Sequence, residues 1–116
     1  MSAGLYSFKL EQGATFYRRL KWTDAEGTPK DLTGYTAKMQ IRTIVTSPTV
    51  LCELSTSNGR ITLTPDQGII ELYIDDVTTQ ALSFDTGVYS LELTSPATFV
   101  TRLLEGYITF SLAVTI

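Results

Sequence analysis

Hydrophobic and polar residues alternate with a period of two along most of this chain, and the period of a helix is nearly absent. In the clearest run, residues 35–42, every second residue is apolar: Tyr35, Ala37, Met39 and Ile41. Because successive side chains of a strand point to opposite faces, this alternation predicts a strand with one buried and one solvated face.

Further strands are predicted wherever the alternation returns, at 6–11, 14–22, 50–54, 60–64, 70–75, 89–94 and 99–116. The last run is too long for one ordinary strand, so we predict a bend or bulge at Glu105–Gly106 that separates 99–104 from 107–116. Asp76 is a suitable N-cap for one short helical turn over Val77–Leu82. About eight strands and one helical turn result.

These elements predict an all-β fold in which two antiparallel sheets form a β-sandwich. Every strand has one apolar row that needs cover, and a second sheet supplies that cover. A chain of 116 residues can build one core without metal or disulfide, so we predict a single domain over residues 1–116. The predicted core residues are Phe16, Leu20, Trp22, Met39, Ile41, Leu72, Ile74, Leu91, Leu93 and Ile108.

Composition excludes several kinds of chemistry. The chain has no histidine and a single cysteine, Cys52, which excludes a Ser-His-Asp triad, an internal disulfide and the usual structural zinc sites. The glycines form no phosphate-binding motif. We therefore expect a protein that is not an enzyme, with no catalytic residue, no metal and no cofactor.

Charge and hydropathy limit the partners. Lys and Arg number 9 against 12 Asp and Glu, and the formal net charge of -3 argues against nucleic-acid binding. No stretch approaches the ~20 apolar residues that span a bilayer, and the N-terminus lacks the pattern of a secretion signal. We expect a protein made in a reducing cytoplasm that binds neither nucleic acid nor membrane.

Two charged features have ordinary structural explanations. Adjacent residues on a strand point to opposite faces, so Asp75 and Asp76 would not converge on one substrate atom, and a helix cap explains the pair better. Arg18 interrupts an otherwise apolar row, which indicates an edge position from which its guanidinium reaches solvent.

Exposed apolar residues make protein contacts the main candidate function. Alternation places Tyr17 and Tyr73 on outward faces, and the loop with Ile44 and Val45 is apolar as well. The run 107–116 has no charged residue, which is typical of a strand whose edge or outer face is paired with another subunit. The predicted interface residues are Tyr17, Ile44, Val45, Tyr73, Tyr107, Phe110, Leu112, Val114 and Ile116, and the predicted partners include further copies of the chain.

Five longer segments carry a resemblance to a known family. They are FKLEQGATF at 8–16, LKWTD at 20–24, GTPKDLTGYTAKMQIR at 27–42, GVYSLEL at 87–93 and RLLEGYIT at 102–109. Together they resemble the N-terminal domain of phage baseplate upper proteins and related small virion proteins of tailed phages. The DLTGYTA connector at 31–37 is the most specific of these matches.

The resemblance implies an immunoglobulin-like β-sandwich that attaches to a tail or baseplate core, and it implies no catalytic residue. We therefore expect a structural protein of a tailed-phage virion, assembled in the host bacterial cytoplasm. It would act as a tail or baseplate accessory or adaptor subunit, by packing and edge-strand pairing with other virion proteins. A capsid decoration protein is one alternative, and a glycan-binding module that stacks sugar rings on Tyr17 and Tyr73 is another.

Overall fold

Nine β-strands and one short α-helix make up residues 4–113, the part of the chain that the structure, a computed structural model, describes. A single 3-10 turn, Pro65–Gln67, precedes the seventh strand. The elements in chain order are β1 (Gly4–Leu5), β2 (Phe8–Glu11), β3 (Phe16–Lys21), β4 (Thr36–Arg42), β5 (Cys52–Ser55), β6 (Ile61–Thr64), β7 (Ile69–Ile74), α1 (Asp76–Ala81), β8 (Thr86–Thr94) and β9 (Val100–Ser111).

The strands form two sheets that pack as an immunoglobulin-like sandwich. The large sheet has the order β1-β9-β8-β4-β5, with β2 also paired to β9, and the small sheet has the order β3-β7-β6. This confirms the predicted all-β immunoglobulin-like sandwich. One detail differs from the expected antiparallel pattern, because β1 and β2 both run parallel to β9. These strands come from opposite ends of the sequence, so no short connection constrains their relative direction.

The core lies between the two sheets and agrees well with the predicted set. Eight of the ten predicted core residues are buried. Leu20 and Trp22 are only partly buried against the core, because they lie at the end of β3, an edge strand of the small sheet. Trp22 is covered instead by Tyr35, at a ring-centroid distance of 6.3 Å, and by the Lys30 ammonium, 5.3 Å from its ring centroid.

The bend or bulge predicted at Glu105–Gly106 is not found there, because β9 is continuous from Val100 to Ser111. The irregularity lies three residues earlier. Leu91 pairs with Leu104 while the next residue, Glu92, pairs with Arg102, so Leu103 is the extra residue of a β-bulge. Gly106 is required for a different reason: a Cβ atom there would collide with the backbone of Tyr6, which crosses directly over it.

The helix cap is shifted by one residue from the predicted position. Asp75 is the N-cap of α1, and its carboxylate accepts a hydrogen bond of 2.8 Å from the Thr78 backbone N–H. Bonds from the Thr78 side chain and backbone lower the pKa of Asp75 below its ordinary value. Asp76 is the first residue of the helix, where a negative charge is also favourable.

Candidate protein-interaction face

Several predicted interface residues are exposed, on two opposite faces of the sandwich. Tyr17 and Tyr73 lie directly opposite each other on β3 and β7, on the outer face of the small sheet. Tyr107 is exposed on the outer face of the large sheet, and Ile44 and Val45 are exposed in the loop between β4 and β5.

The predictions for the C-terminal run are less accurate. Phe110 is buried, because it pairs with Leu10 on the inward row of β9 and stacks on Phe84 at a ring-centroid distance of 4.7 Å. Its place in the predicted interface is therefore wrong. Leu112 is exposed as predicted, and Val114 and Ile116 lie outside the described residues.

The open edge expected for the C-terminal strand is also wrong. From Ile108 to Ser111, β9 is paired with β2 on one side, and up to Thr109 it is also paired with β8 on the other. Its backbone donors and acceptors are thus largely used within the chain, and another subunit cannot add a strand there without displacing β2.

Arg18 caps the outer edge of β3. The Tyr73 N–H donates to the Arg60 carbonyl, on the β6 side of β7, and therefore does not bond to β3. Tyr17 is paired with Tyr73, so its own N–H and carbonyl groups point away from β7, toward the open edge of the sheet. The Arg18 guanidinium donates 2.8 Å to the Tyr17 carbonyl and lies 4.8 Å from the centroid of the Phe16 ring. This confirms the predicted edge position of Arg18, and it places a charge where an incoming strand would pair.

The edge of β5 is capped in a similar way by side chains from the turn that follows it. Asn58 Nδ2 and the Arg60 guanidinium each donate 2.9 Å to the Glu53 carbonyl. The Asn58 Oδ1 atom accepts 2.9 Å from the Ser55 N–H. Two of the four sheet edges, those of β3 and β5, are therefore poorly suited to strand addition.

The outer face of the large sheet has equal numbers of positive and negative side chains. Arg102 lies 3.7 Å from Glu92 and 3.6 Å from Glu105, and Lys38 lies 4.0 Å from Glu53. The full set is four cations and four acids, so the formal charge of this face is zero: Lys9, Lys38, Arg42, Arg102, Glu11, Glu53, Glu92 and Glu105.

An open groove of about 330 Å³ lies on this face. Three strongly exposed apolar residues border it: Leu5 at 83%, Val45 at 80% and Tyr107 at 67% exposure. Its floor includes Val88 and the polar Arg42, whose guanidinium donates 2.8 Å to Gln40. Exposed apolar side chains gathered on one face are typical of a surface that binds another protein.

A buried tyrosine fixes the N-terminal wall of the groove. The Tyr89 hydroxyl donates 2.6 Å to the Tyr6 carbonyl, and the Tyr6 N–H donates 3.0 Å to the Glu105 carbonyl. Burial raises the pKa of Tyr89 well above its ordinary value, so the hydroxyl stays protonated as a donor. With Gly106 giving the backbone room to approach, these bonds hold Leu5 at the groove.

The outer face of the small sheet is held together by its own polar contacts. The Tyr17 hydroxyl donates to the Glu71 carboxylate, and this bond is the largest cause of a raised Tyr17 pKa. Arg19 lies directly opposite Glu71 on the same face. The tyrosines there are about 45% exposed, less than the residues that border the groove.

Residues 4–113 contain no cluster of three or more His, Cys, Asp or Glu side chains that could hold a metal ion, and no helix in that range could span a membrane. Cys52 is buried on β5, and burial raises the pKa of its thiol, which keeps it in the unreactive protonated form.

Sequence reasoning missed Leu5, Phe99 and Val100, which are 83%, 72% and 55% exposed. The strand pairing of the N-terminal segment with β9 is interrupted at residues 6–7, between β1 and β2, so the alternation from Tyr6 onward gave no indication of the position of Leu5. Val100 is exposed because the bulge reverses the alternation along β9. Neither irregularity has a distinct residue pattern.

No protein-family model matches the sequence, and no curated protein is similar to it. The resemblance to the phage baseplate domain therefore stays a prediction.

Solved structures similar to this chain include domains of voltage-gated sodium channel beta subunits and of Drosophila OTK. One comes from work on multimeric cell-adhesive interactions of voltage-gated sodium channel beta subunits, with 16% identity, coverage of 99% of this chain and 98% of that chain, and a TM-score of 0.48. Another is the extracellular domain of the sodium channel beta4 subunit, described as a parallel homodimer with a role in cell–cell adhesion, with 14% identity, coverage of 98% and 97%, and a TM-score of 0.42. Extracellular domains 3–5 of Drosophila OTK match with 14% identity over 92% of this chain and 33% of that chain, at a TM-score of 0.37.

At these identities the likeness concerns the fold alone. The virion function expected from sequence is nevertheless wrong, because these neighbours are immunoglobulin-like domains of proteins unrelated to phage particles. The tail, baseplate and capsid roles are withdrawn, together with phage partners and glycan binding. What this chain shares with its neighbours is the immunoglobulin-like sandwich.

Proposed function

We propose that this protein is a non-enzymatic binding module that associates with further copies of itself through the outer face of its large sheet. The observation that supports this most strongly is a groove bordered by exposed apolar residues on a face with zero formal charge, in a chain whose net charge is -3. Two such faces can approach without net repulsion, whereas the remaining surface carries all of the excess negative charge.

The size of the face supports the same function. Five strand positions at a spacing of ~4.8 Å give a width of about 24 Å, and the 12 residues of β9 give a length of up to about 40 Å. An area on the order of 800 Å² results, which is what each partner of a standard protein interface buries.

A binding role also fits the remaining side chains. Asp75 and Asp76, the acidic pair considered for acid-base chemistry, both lie at the start of α1, where Asp75 caps the first turn. The thiol of Cys52 is buried and protonated. We therefore propose contact with other chains, and not turnover of a substrate, as the activity of this protein.

The test is a comparison of two tyrosine variants by sedimentation equilibrium over a concentration series. The wild type is expected to dimerise, and Tyr107→Glu to shift the protein to monomer by placing a charge at the groove. Tyr73→Glu is the matched control, since it adds the same charge to an exposed tyrosine of the opposite face. A wild type that stays monomeric, or an equal loss of association in both variants, would contradict the proposal.

A further inference from the structure

Four outward-facing residues of β9 lie at matching distances on either side of the bulge. Val100 and Arg102 face outward before Leu103, and Glu105 and Tyr107 face outward after it. Val100 is 55% and Tyr107 67% exposed, and the side chains of Arg102 and Glu105 are 57% and 40% exposed. The order is therefore apolar, cationic, acidic, apolar.

This series is complementary to itself when its direction is reversed. We infer that two copies pack face to face, with β9 antiparallel to β9 of the second copy about a two-fold axis between Leu103 and Leu104. Each Arg102 then faces Glu105 of the second copy, and each Val100 faces its Tyr107. A two-fold axis makes both contacts occur twice, as an isologous interface requires. The inference rests on the proposed function and specifies how the copies are arranged.

Other arrangements of the same face are less favourable. If the two β9 strands ran parallel, Arg102 would face Arg102 and Glu105 would face Glu105, and like charges in an interface cost free energy. Because Leu91 pairs with Leu104, the antiparallel axis crosses β8 at Leu91, where it places Ser90 of each copy opposite Glu92 of the other, so no like charges meet on that strand.

The dimensions allow these contacts. Because Leu103 is the extra residue of the bulge, Val100 and Tyr107 are separated by six ladder positions, about 20 Å along the strand, so each lies ~10 Å from the axis. Packed sheets lie ~10 Å apart and cross at ~30°, which keeps residues at that distance from the axis within side-chain reach. Val100 and the neighbouring Phe99 of one copy would then cover the groove beside Tyr107 of the other.

The present partners of Arg102 do not prevent this exchange. Its ion pairs with Glu92 and Glu105, at 3.7 and 3.6 Å, are both exposed. Exposed pairs contribute little to stability, so Arg102 loses little when it turns to the acid of a second copy.

Charge reversal tests the arrangement. R102E and E105R, each alone, place like charges opposite each other twice and are expected to raise the dimer dissociation constant about tenfold. The double variant R102E/E105R restores opposite charges and is expected to return to within about threefold of wild type. A mixture of the two single variants is expected to form mixed dimers in preference to either homodimer. K38E is the control, because it reverses a charge of the same face two strands away from β9.

Cross-linking measures the direction of the strands directly. V100C and Y107C are prepared separately, one with an affinity tag, and treated with a short bismaleimide; the native Cys52 is buried and protected. Antiparallel packing predicts a covalent dimer only when both variants are mixed. Covalent dimers within V100C alone or Y107C alone would overturn the inference.

Different results would refute the proposed self-association and the antiparallel arrangement of the copies. Association that is sensitive to Tyr107→Glu but unaffected by R102E and E105R would retain the proposed function and refute the antiparallel arrangement. A wild type that is monomeric at every concentration would refute both.

Discussion

Removing the Tyr89 hydroxyl tests whether one buried hydrogen bond holds the N-terminal segment on the large sheet. Tyr89 is 4% exposed, and its hydroxyl donates 2.6 Å to the Tyr6 carbonyl. Its ring packs against Phe8 at a centroid distance of 5.1 Å. Tyr89→Phe keeps this packing and removes only the hydroxyl, so the effect reports on the bond to Tyr6.

The expected loss of stability follows from two terms. A hydrogen bond of this kind contributes about 1 kcal/mol net, and a carbonyl left without a donor in a buried position costs a further ~1 kcal/mol or more. We expect the free energy of unfolding to fall by about 2 kcal/mol, which corresponds to ~8 °C in Tm for a domain of this size.

Urea unfolding of wild type and Tyr89→Phe, followed by tryptophan fluorescence, measures this difference. Tyr17→Phe is the matched control: it removes a hydroxyl that also donates a hydrogen bond, to Glu71, but on an exposed face, so its effect should be far smaller. A loss below about 0.5 kcal/mol in Tyr89→Phe, or equal losses in the two variants, would refute the reasoning.

Three further outcomes are expected. Raising the pH above ~10 should destabilise wild type more steeply than Tyr89→Phe, by up to ~1.4 kcal/mol per pH unit in urea titrations. The reason is that burial raises the pKa of Tyr89, so that just above this pH its hydroxyl proton is released only from the unfolded chain. Asp75→Ala should lower the urea midpoint by removing the cap of α1, whereas Asp76→Ala should change it much less; equal changes would contradict the assignment of the cap. Thr98 has a φ of 63°, a left-handed backbone conformation that is unfavourable for a β-branched residue. Thr98→Gly should therefore raise the free energy of unfolding by about 1 kcal/mol, and a decrease in the same measurement would contradict this account.

The regular strands could be predicted from sequence because their environment is regular. β4 lies between β5 and β8 with one face on the core, so its alternation from Thr36 to Arg42 matches the observed burial. The short helix was also recognisable, since an aspartate before a short non-alternating run is a strong start signal. The cap was displaced by one residue because Asp75 and Asp76 are both suitable for that position.

The features that matter for the candidate site depend on contacts between distant segments. Phe110 was assigned to a subunit interface, yet it shares the inward row of Ile108 and faces the core beside Leu10, a hundred positions earlier. Gly106 was read as a bend, although its cause is the backbone of Tyr6 crossing above it. The bulge at Leu103 has no signal in its own residues, yet it decides which side chains of β9 face outward.

The parallel pairing of β1 and β2 with β9 has a mechanical consequence. Gly4 lies beside Leu104, while the Ala113 N–H donates to the Gln12 side chain, so the two ends of the described chain are at opposite ends of this ladder. A tensile force applied at both ends would pull β1 and β2 in the opposite direction to β9. The hydrogen bonds between these strands would then carry the load at the same time, and they would not open one after another. Such shear loading resists extension, and it would let this sandwich bear tension along the direction of β9.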